Sequence, residues 1–345
     1  MGRRLTPVTR LTRLWSVLEG AKSMLIVVQN NPDPDALAAA AALREIANEI
    51  HGIACSVAHA GVVGRAENQA LLKYLGLNTR SLDDLDLRRF DRLGMVDAQP
   101  GAGNVKFDPS IRLDVVIDHH PIRRETRSAR FTDVRRRYGA TSSMLYEYLD
   151  AAQIEIPTKL ATALVYGIRS DTQELGREST RADIDAYLAL YPLANTRALG
   201  RMVSAPLPHS YFSKLRVALD QAVLYGDRIV SDLGELDSPE MVAEAADLLL
   251  RAEDVRWTMC LGTIAGWVHL SLRTSDRDGN AGKVARNLGG RRGFGGGHMA
   301  LAAAQIPIPD GATKRKTTAM IKDLTRRFLK ATGGKATGSP LCSTG

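Results

Sequence analysis

Three short apolar runs in the first third of the chain each lead into carboxylates. MLIVV (Met24–Val28) precedes Asp33 and Asp35, LGMV (Leu93–Val96) precedes Asp97, and LDVVI (Leu113–Ile117) precedes Asp118-His119-His120. Runs this short, branched and uncharged read as buried strands. Between them, Ala36–Ile50 is rich in helix formers, IACSVA (Ile53–Ala58) is a further strand, and Glu67–Leu75 a further helix. Such alternation predicts an α/β domain with a parallel sheet and helices on both faces. In that architecture the carboxyl ends of the strands share one edge, and ligands bind in the crevice there.

Asp33 and Asp35 fall on a turn stiffened by Pro32 and Pro34. Helix capping would account for either acid alone, but not for acids at three strand ends in succession. Asp171, in GIRSDTQEL after the apolar helical segment Thr158–Ser170, is a fourth candidate for the same edge. Carboxylates gathered in this way repel and raise one another's pKa unless a cation sits among them. Asp with His suits a divalent ion such as Mn²⁺, and the lack of thiolates argues against structural zinc. A shared Asp could hold two ions about 3.5–4 Å apart and act on a phosphoryl group.

Helices over Ala140–Ala152, Thr158–Ser170 and from a Ser179 cap to Tyr191 complete a first domain at residues 1–202. VSAPLPHSYFSK, residues 203–214, reads as a linker. Residues 215–332 predict a smaller mixed α/β domain. Its elements are a strand over Val223–Gly234, a helix over Pro239–Arg251, two strands turning at Gly266, a helix over Ala281–Leu288 and a basic helix over Thr313–Lys330. The tail, 333–345, reads as disordered. Successive glycines at 295–297, beside Arg291 and Arg292, would let backbone N–H groups close on an anion.

NPDPDALA, VDAQPG, VIDHHP and GIRSDTQEL, in that order, resemble the four signature motifs of the DHH phosphoesterase superfamily. The branch they look most like holds oligoribonuclease (nanoRNase) and pAp-phosphatase-like proteins and the RecJ catalytic core. LGGRRGFGGGHMALAA, with SLRTS, resembles the C-terminal DHH-associated substrate-binding domain. The resemblance implies a two-manganese centre, with Mg²⁺ as the alternative ion. Asp35, Asp97, His119 and Asp171 would hold one ion, and Asp33 and Asp97 the other. It further implies His120 at the scissile phosphate and Asp118 orienting the histidines. Arg273, Ser275, Gly295, Gly296, Gly297 and His298 would bind substrate: a short oligonucleotide, pAp or a linear dinucleotide.

One position departs from that pattern. The family's histidine four residues before Asp33 is Gln29 here, and a neutral amide is a poor metal ligand. Alanines 38–40 also replace the common Gly-Ser. A nucleotide-binding regulatory protein with weakened catalysis is therefore one alternative. Pyrophosphate or polyphosphate hydrolysis is another, although the Ser-Arg-Lys-Lys stretch of that branch is missing.

Composition narrows the partners. No apolar stretch approaches the about 18 residues of a membrane span, so no membrane partner is expected. Cys55, Cys260 and Cys342 lack paired spacing, which fits a cytoplasmic setting. The net charge is +8, and residues 123–137 hold seven arginines against two acids, a run suited to guiding a short anionic chain. Nine tyrosines, six phenylalanines and three tryptophans do not cluster in sequence, which argues against a stacking platform. Monomer and homodimer both stay open.

Overall fold

The computed structural model describes residues 6–176, 179–297 and 299–342. The chain divides into two compact units, Met1–Pro206 and Leu207–Gly345.

The first unit runs α1 (Pro7–Leu18), β1 (Ser23–Val27), α2 (Pro34–His51), β2 (Ala54–His59), α3 (Ala66–Leu75), β3 (Thr79–Ser81), β4 (Arg92–Val96), β5 (Val115–Asp118) and β6 (Phe131–Val134). Four helices follow: α4 (Thr141–Ala151), α5 (Thr158–Asp171), α6 (Arg181–Leu190) and α7 (Thr196–Val203). The sheet order is β3-β2-β1-β4-β5-β6, and every pair is parallel. After β1 the chain builds outward through β2 and β3, then returns to lay β4 on the other side. The strand order thus reverses between β1 and β4, where a parallel sheet opens a crevice at its carboxyl edge.

The α/β class stands, but the layers differ from expectation. Residues of all seven helices share one apolar core with Met24, Ile26 and Val28. The opposite side of the sheet, with Leu25, Val27, Met95 and Val116, is covered by irregular chain including Leu85, Leu87, Phe90 and Phe107. Apart from β4, the chain between β3 and β5, dense in Asp, Arg, Gly and Pro, forms only two short 3₁₀ turns. The small side chains of α2 matter here, since Ala36–Ala42 are buried without exception. Gly167 of α5 meets α2 closely; a Cβ there would lie 2.5 Å from Ser142 Oγ and 3.1 Å from the Asp35 Cα. Close helix approach at this point is what brings α5 to the carboxyl edge. The cap of α6 is Thr180, with Asp183 completing a capping box, rather than Ser179.

The second unit contains α8 (His209–Asp220), β7 (Val223–Leu224), β8 (Arg228–Glu235), α9 (Glu240–Leu249), β9 (Trp257–Ile264), β10 (Trp267–Thr274), α10 (Ala281–Gly289), β11 (Phe294–Gly297), β12 (Leu301–Pro307), α11 (Lys314–Thr332) and β13 (Ser339–Pro340). Its sheet order is β11-β12-β10-β9-β8-β7-β13, mixed because only β8 and β9 pair in parallel. Helices α10 and α11 pack on one side and α8 and α9 on the other.

Three readings change in this unit. The single strand expected over Val223–Gly234 is a pair, β7 and β8, turned at Gly226 with its positive φ of 75°. Half of the expected linker is α8, whose Pro208 lead-in is compatible with a helix start. The expected disordered tail carries β13, paired with β7, and the Leu341 N–H donates to the Ala222 carbonyl at 2.8 Å. Among the described residues, no helix is long and apolar enough to cross a membrane.

Candidate metal centre

Asp33 is the N-cap of α2: its Oδ1 accepts the Ala36 N–H at 2.9 Å. Its Oδ2 accepts from Gln29 Nε2 at 2.7 Å, and Gln29 Oε1 in turn accepts from Asn104 at 3.2 Å. Two residues on, Asp35 is buried and grips the start of α4. Its oxygens accept the N–H groups of Thr141 at 2.7 Å and Ser142 at 2.8 Å. The positive end of a helix dipole therefore faces this carboxylate.

Asp97 follows β4 with φ of 53°, a left-handed conformation that a non-glycine residue adopts at a cost of about 1–3 kcal/mol. Its N–H is tied to the Ile117 carbonyl at 3.0 Å, and its Oδ1 accepts from Thr141 Oγ1 at 2.9 Å. Asp97 Oδ2 is buried and has no hydrogen-bond partner among the described residues. A carboxylate oxygen placed so, on strained backbone, suits a cation better than it suits any group around it.

His119 Nδ1 lies 3.1 Å from the Tyr138 carbonyl, which can only accept, so Nδ1 carries hydrogen. Nε2 then points at Asp97 Oδ1 (3.5 Å) and Asp171 Oδ2 (3.3 Å). This is the tautomer of a metal-ligating histidine, fixed by its other nitrogen. Asp171 sits at the last position of α5, its side chain 20% exposed. One ligand atom from each of Asp35, Asp97, His119 and Asp171 lies within 4.8 Å of all the others. Three carboxylates and one imidazole form an oxygen-rich set that fits a divalent ion such as Mn²⁺ or Mg²⁺.

Titration behaviour agrees with that donor set. Burial, then the charge of Asp171, pushes Asp33 up to about 6 and Asp35 up to about 7. Burial with Asp35, Asp33 and Asp171 holds Asp97 well above the usual carboxylate range. Burial disfavours the charged form of His119, but the hydrogen bond and charge of Asp171, with Asp35 and Asp118, win and lift it to about 10. Protons here do the neutralising that a cation would do.

His120 sits beside this set, its ring centroid 4.4 Å from that of His119 and its side chain 33% exposed. Asp118 Oδ1 takes the His120 Nδ1 hydrogen bond at 2.8 Å and the His120 N–H at 3.2 Å. Burial alone would raise Asp118, yet the histidines and Gln99 hold it below the ordinary carboxylate value. Gln99 escaped the sequence reading. It is buried, donates to Asp118 Oδ2 at 2.5 Å, and accepts from the Arg123 N–H and the Thr126 hydroxyl, both at 2.8 Å. Thr141, Ser142 and Tyr138 were missed as well, because each acts through a neighbour rather than as a ligand.

The arginine run divides. Arg136 and Arg137 are exposed, but Arg135 is buried, bound to Asp133 at 2.6 and 2.9 Å and to Glu147, with Tyr138 and Tyr148 rings against its guanidinium. Part of the run is strand β6. Arg135 therefore serves the core behind Tyr138 and cannot guide an anion.

In the second unit the expected substrate residues separate. Arg273 is buried in a fork with Asp247 and also donates to Ser271 Oγ at 2.6 Å, so its charge is already matched. Ser275 is exposed, its hydroxyl 3.5 Å from the Val255 carbonyl. Gly295 and Gly297 are glycines for packing, since a Cβ would meet the Ala285 carbonyl at 2.3 Å or the Leu301 carbonyl at 2.4 Å. Gly296 alone faces open space. His298 lies outside the described residues.

Residues 23–168 match the DHH family, N-terminal domain. The uncharacterized protein MJ1633 of Methanocaldococcus jannaschii is 33% identical over 301 residues, 87% of this chain; the chain spans 61% of that relative's length. Among solved structures, an exopolyphosphatase-related protein from Bacteroides fragilis superposes with a TM-score of 0.69 at 15% identity, covering 93% of this chain and 97% of that one. RecJ of Thermus thermophilus, crystallised with Mn²⁺, gives 0.50 at 14% identity over 95% of this chain and 54% of that one. At these identities the two structures share the fold with this chain.

Proposed function

We propose, from the match of residues 23–168 to the DHH family's N-terminal domain, that the chain is a metal-dependent phosphoesterase. The observation that carries the reading is the convergence of Asp35, Asp97, His119 and Asp171 on one point. These four would hold a divalent ion, Mn²⁺ first and Mg²⁺ second. When bound, the ion supplies positive charge to a phosphoryl group and acidifies water. The chain's own part is to hold the ligands still: α4 fixes Asp35, Tyr138 fixes His119, and Thr141 fixes Asp97. His120, anchored through Nδ1 by Asp118, would hydrogen-bond a phosphoryl or leaving oxygen through Nε2. The substrates proposed are short oligonucleotides, pAp and linear dinucleotides; polyphosphate and pyrophosphate are the competing class.

Gln29 supports a count of one ion. With its amide N–H₂ turned to Asp33, it presents a donor where the family presents an imidazole lone pair. The same contact favours a second reading, a nucleotide-binding regulatory protein with slow turnover. A panel of diadenylate, pAp, pyrophosphate and polyphosphate, assayed with Mn²⁺ from zero to millimolar, tests both. Manganese-dependent release of AMP, lost in D97N, supports the phosphoesterase. Binding without turnover of any of the four supports the regulatory reading and ends the first.

A further inference from the structure

The side of the second unit's sheet that carries α8 and α9 stays exposed in part at β12 and β11. Alternate residues of a strand share a face. On β10, Val268 and Leu270 enter the core while Trp267 and His269 turn the other way, half-buried. On β12, Ala302, Ala304 and Ile306 are buried, and Ala303 and Gln305 are exposed. The registers place His269, Gln305 and Phe294 side by side across three strands, and Ser271, Ala303 and Gly296 likewise. The face thus presents Trp267, His269, Gln305, Phe294, Ala303 and Gly296.

Trp267 and Phe294 meet diagonally on this face with ring centroids 6.3 Å apart and planes 29° from parallel. Phe294 is 57% exposed. This corrects the expectation of no aromatic cluster: the rings are 27 positions apart in sequence and are joined only by the sheet. Nothing lies within 4 Å of where a Cβ of Gly296 would be, so the floor beside the rings is open. Arg291 and Arg292, both exposed, precede Phe294 by three and two residues.

We propose that this open sheet face is a nucleobase platform. The exposed Phe294 ring beside half-buried Trp267 can stack any base through its π-face, the Gln305 amide and His269 imidazole offer donors and acceptors to a base edge, and the two arginines match a phosphate's charge. The polar groups between the rings argue against an aliphatic partner. The proposal deepens the phosphoesterase reading, since it selects a base-bearing phosphate over inorganic polyphosphate.

The test measures binding, not turnover. AMP and ribose 5-phosphate are titrated into the full chain in EDTA, following quenching of tryptophan emission and, independently, calorimetric heat. AMP should bind at least about tenfold tighter than ribose 5-phosphate, in line with the measured worth of a base–aromatic stack. F294A should weaken AMP by about tenfold and leave ribose 5-phosphate unchanged, and F294Y should restore it. Phe294 is largely exposed, so truncation leaves the fold intact, which circular dichroism verifies. Equal affinity for the two ligands, no AMP binding, or wild-type affinity in F294A would overturn the platform. A chain that binds AMP as expected yet hydrolyses nothing would sink the phosphoesterase and leave the platform standing.

Discussion

Raising pH on the metal-stripped protein should destabilise its first unit. Asp33 and Asp35 stand at about 6 and about 7 against an ordinary 3.8, chiefly through burial and then Asp171. A carboxyl raised in the folded state binds more protons there than in the unfolded chain, so stability falls as pH climbs from about 4 to about 7. His119, lifted to about 10 by Asp171 against its own burial, adds a loss that begins near 6.5 and continues to about 10. For Asp35, the residue that D35N removes, the rise from 3.8 to about 7 leaves about two pH units above pH 5, or about 3 kcal/mol at about 1.4 kcal/mol per pH unit. The acids share one field, so their effects do not add, and about 3 kcal/mol is the expected total for the carboxyl window. In a unit of this size that is about 6–12 °C in Tm between pH 5 and pH 8. Circular dichroism melts in EDTA supply the measurement, and D35N supplies the reference that cancels other titrating groups. Saturating Mn²⁺ displaces the protons, so it should erase the decline and bind more tightly as pH rises. A wild-type Tm that holds level or rises from pH 5 to pH 8 relative to D35N, without metal, would refute the reasoning.

Three further outcomes follow from named contacts. Gln29→His should raise bound Mn²⁺ from one to two per chain in calorimetry or metal analysis; an unchanged stoichiometry would show that Asp33 cannot support a second ion. R135M should cost about 2–4 kcal/mol because it removes the bidentate partner of buried Asp133, leaving it Arg10 and the Tyr148 hydroxyl, and the cation of half-buried Glu147, whereas R136Q/R137Q should stay within about 0.5 kcal/mol by urea unfolding. Gly167→Ala should cost about 1–3 kcal/mol by the same measurement, by pressing on Ser142 and the Asp35 backbone, and should also weaken Mn²⁺ binding in calorimetry.

Sequence pattern carried the strand ends well. Each residue of the cluster follows an apolar run or helix whose length and composition are local properties, so Asp33/Asp35, Asp97, Asp118-His119-His120 and Asp171 stood out as strand-end or helix-end groups, and the family resemblance picked Asp35, Asp97, His119 and Asp171 from among them. What holds those ligands was not legible. The Thr141 and Ser142 N–H groups meet Asp35 across 106 and 107 residues, and no local pattern marks such a partner. Arg135 reads like Arg136 until burial separates them. Gln99 looks like loop polarity, yet five of its contacts lie inside the fold. Trp267 and Phe294 failed for the same reason, being neighbours only by strand register.

The long reach from Asp35 to Asp171 also orders events during synthesis. These two ligands are 136 positions apart, so at about 5–20 residues per second the ribosome needs about 7–27 s to deliver the second after the first. A nascent chain stopped before α5 would have the DPD turn and the DHH strand and still lack a complete cage. An ion held by all four residues would therefore be captured only on completion of the first unit and would not guide its early collapse.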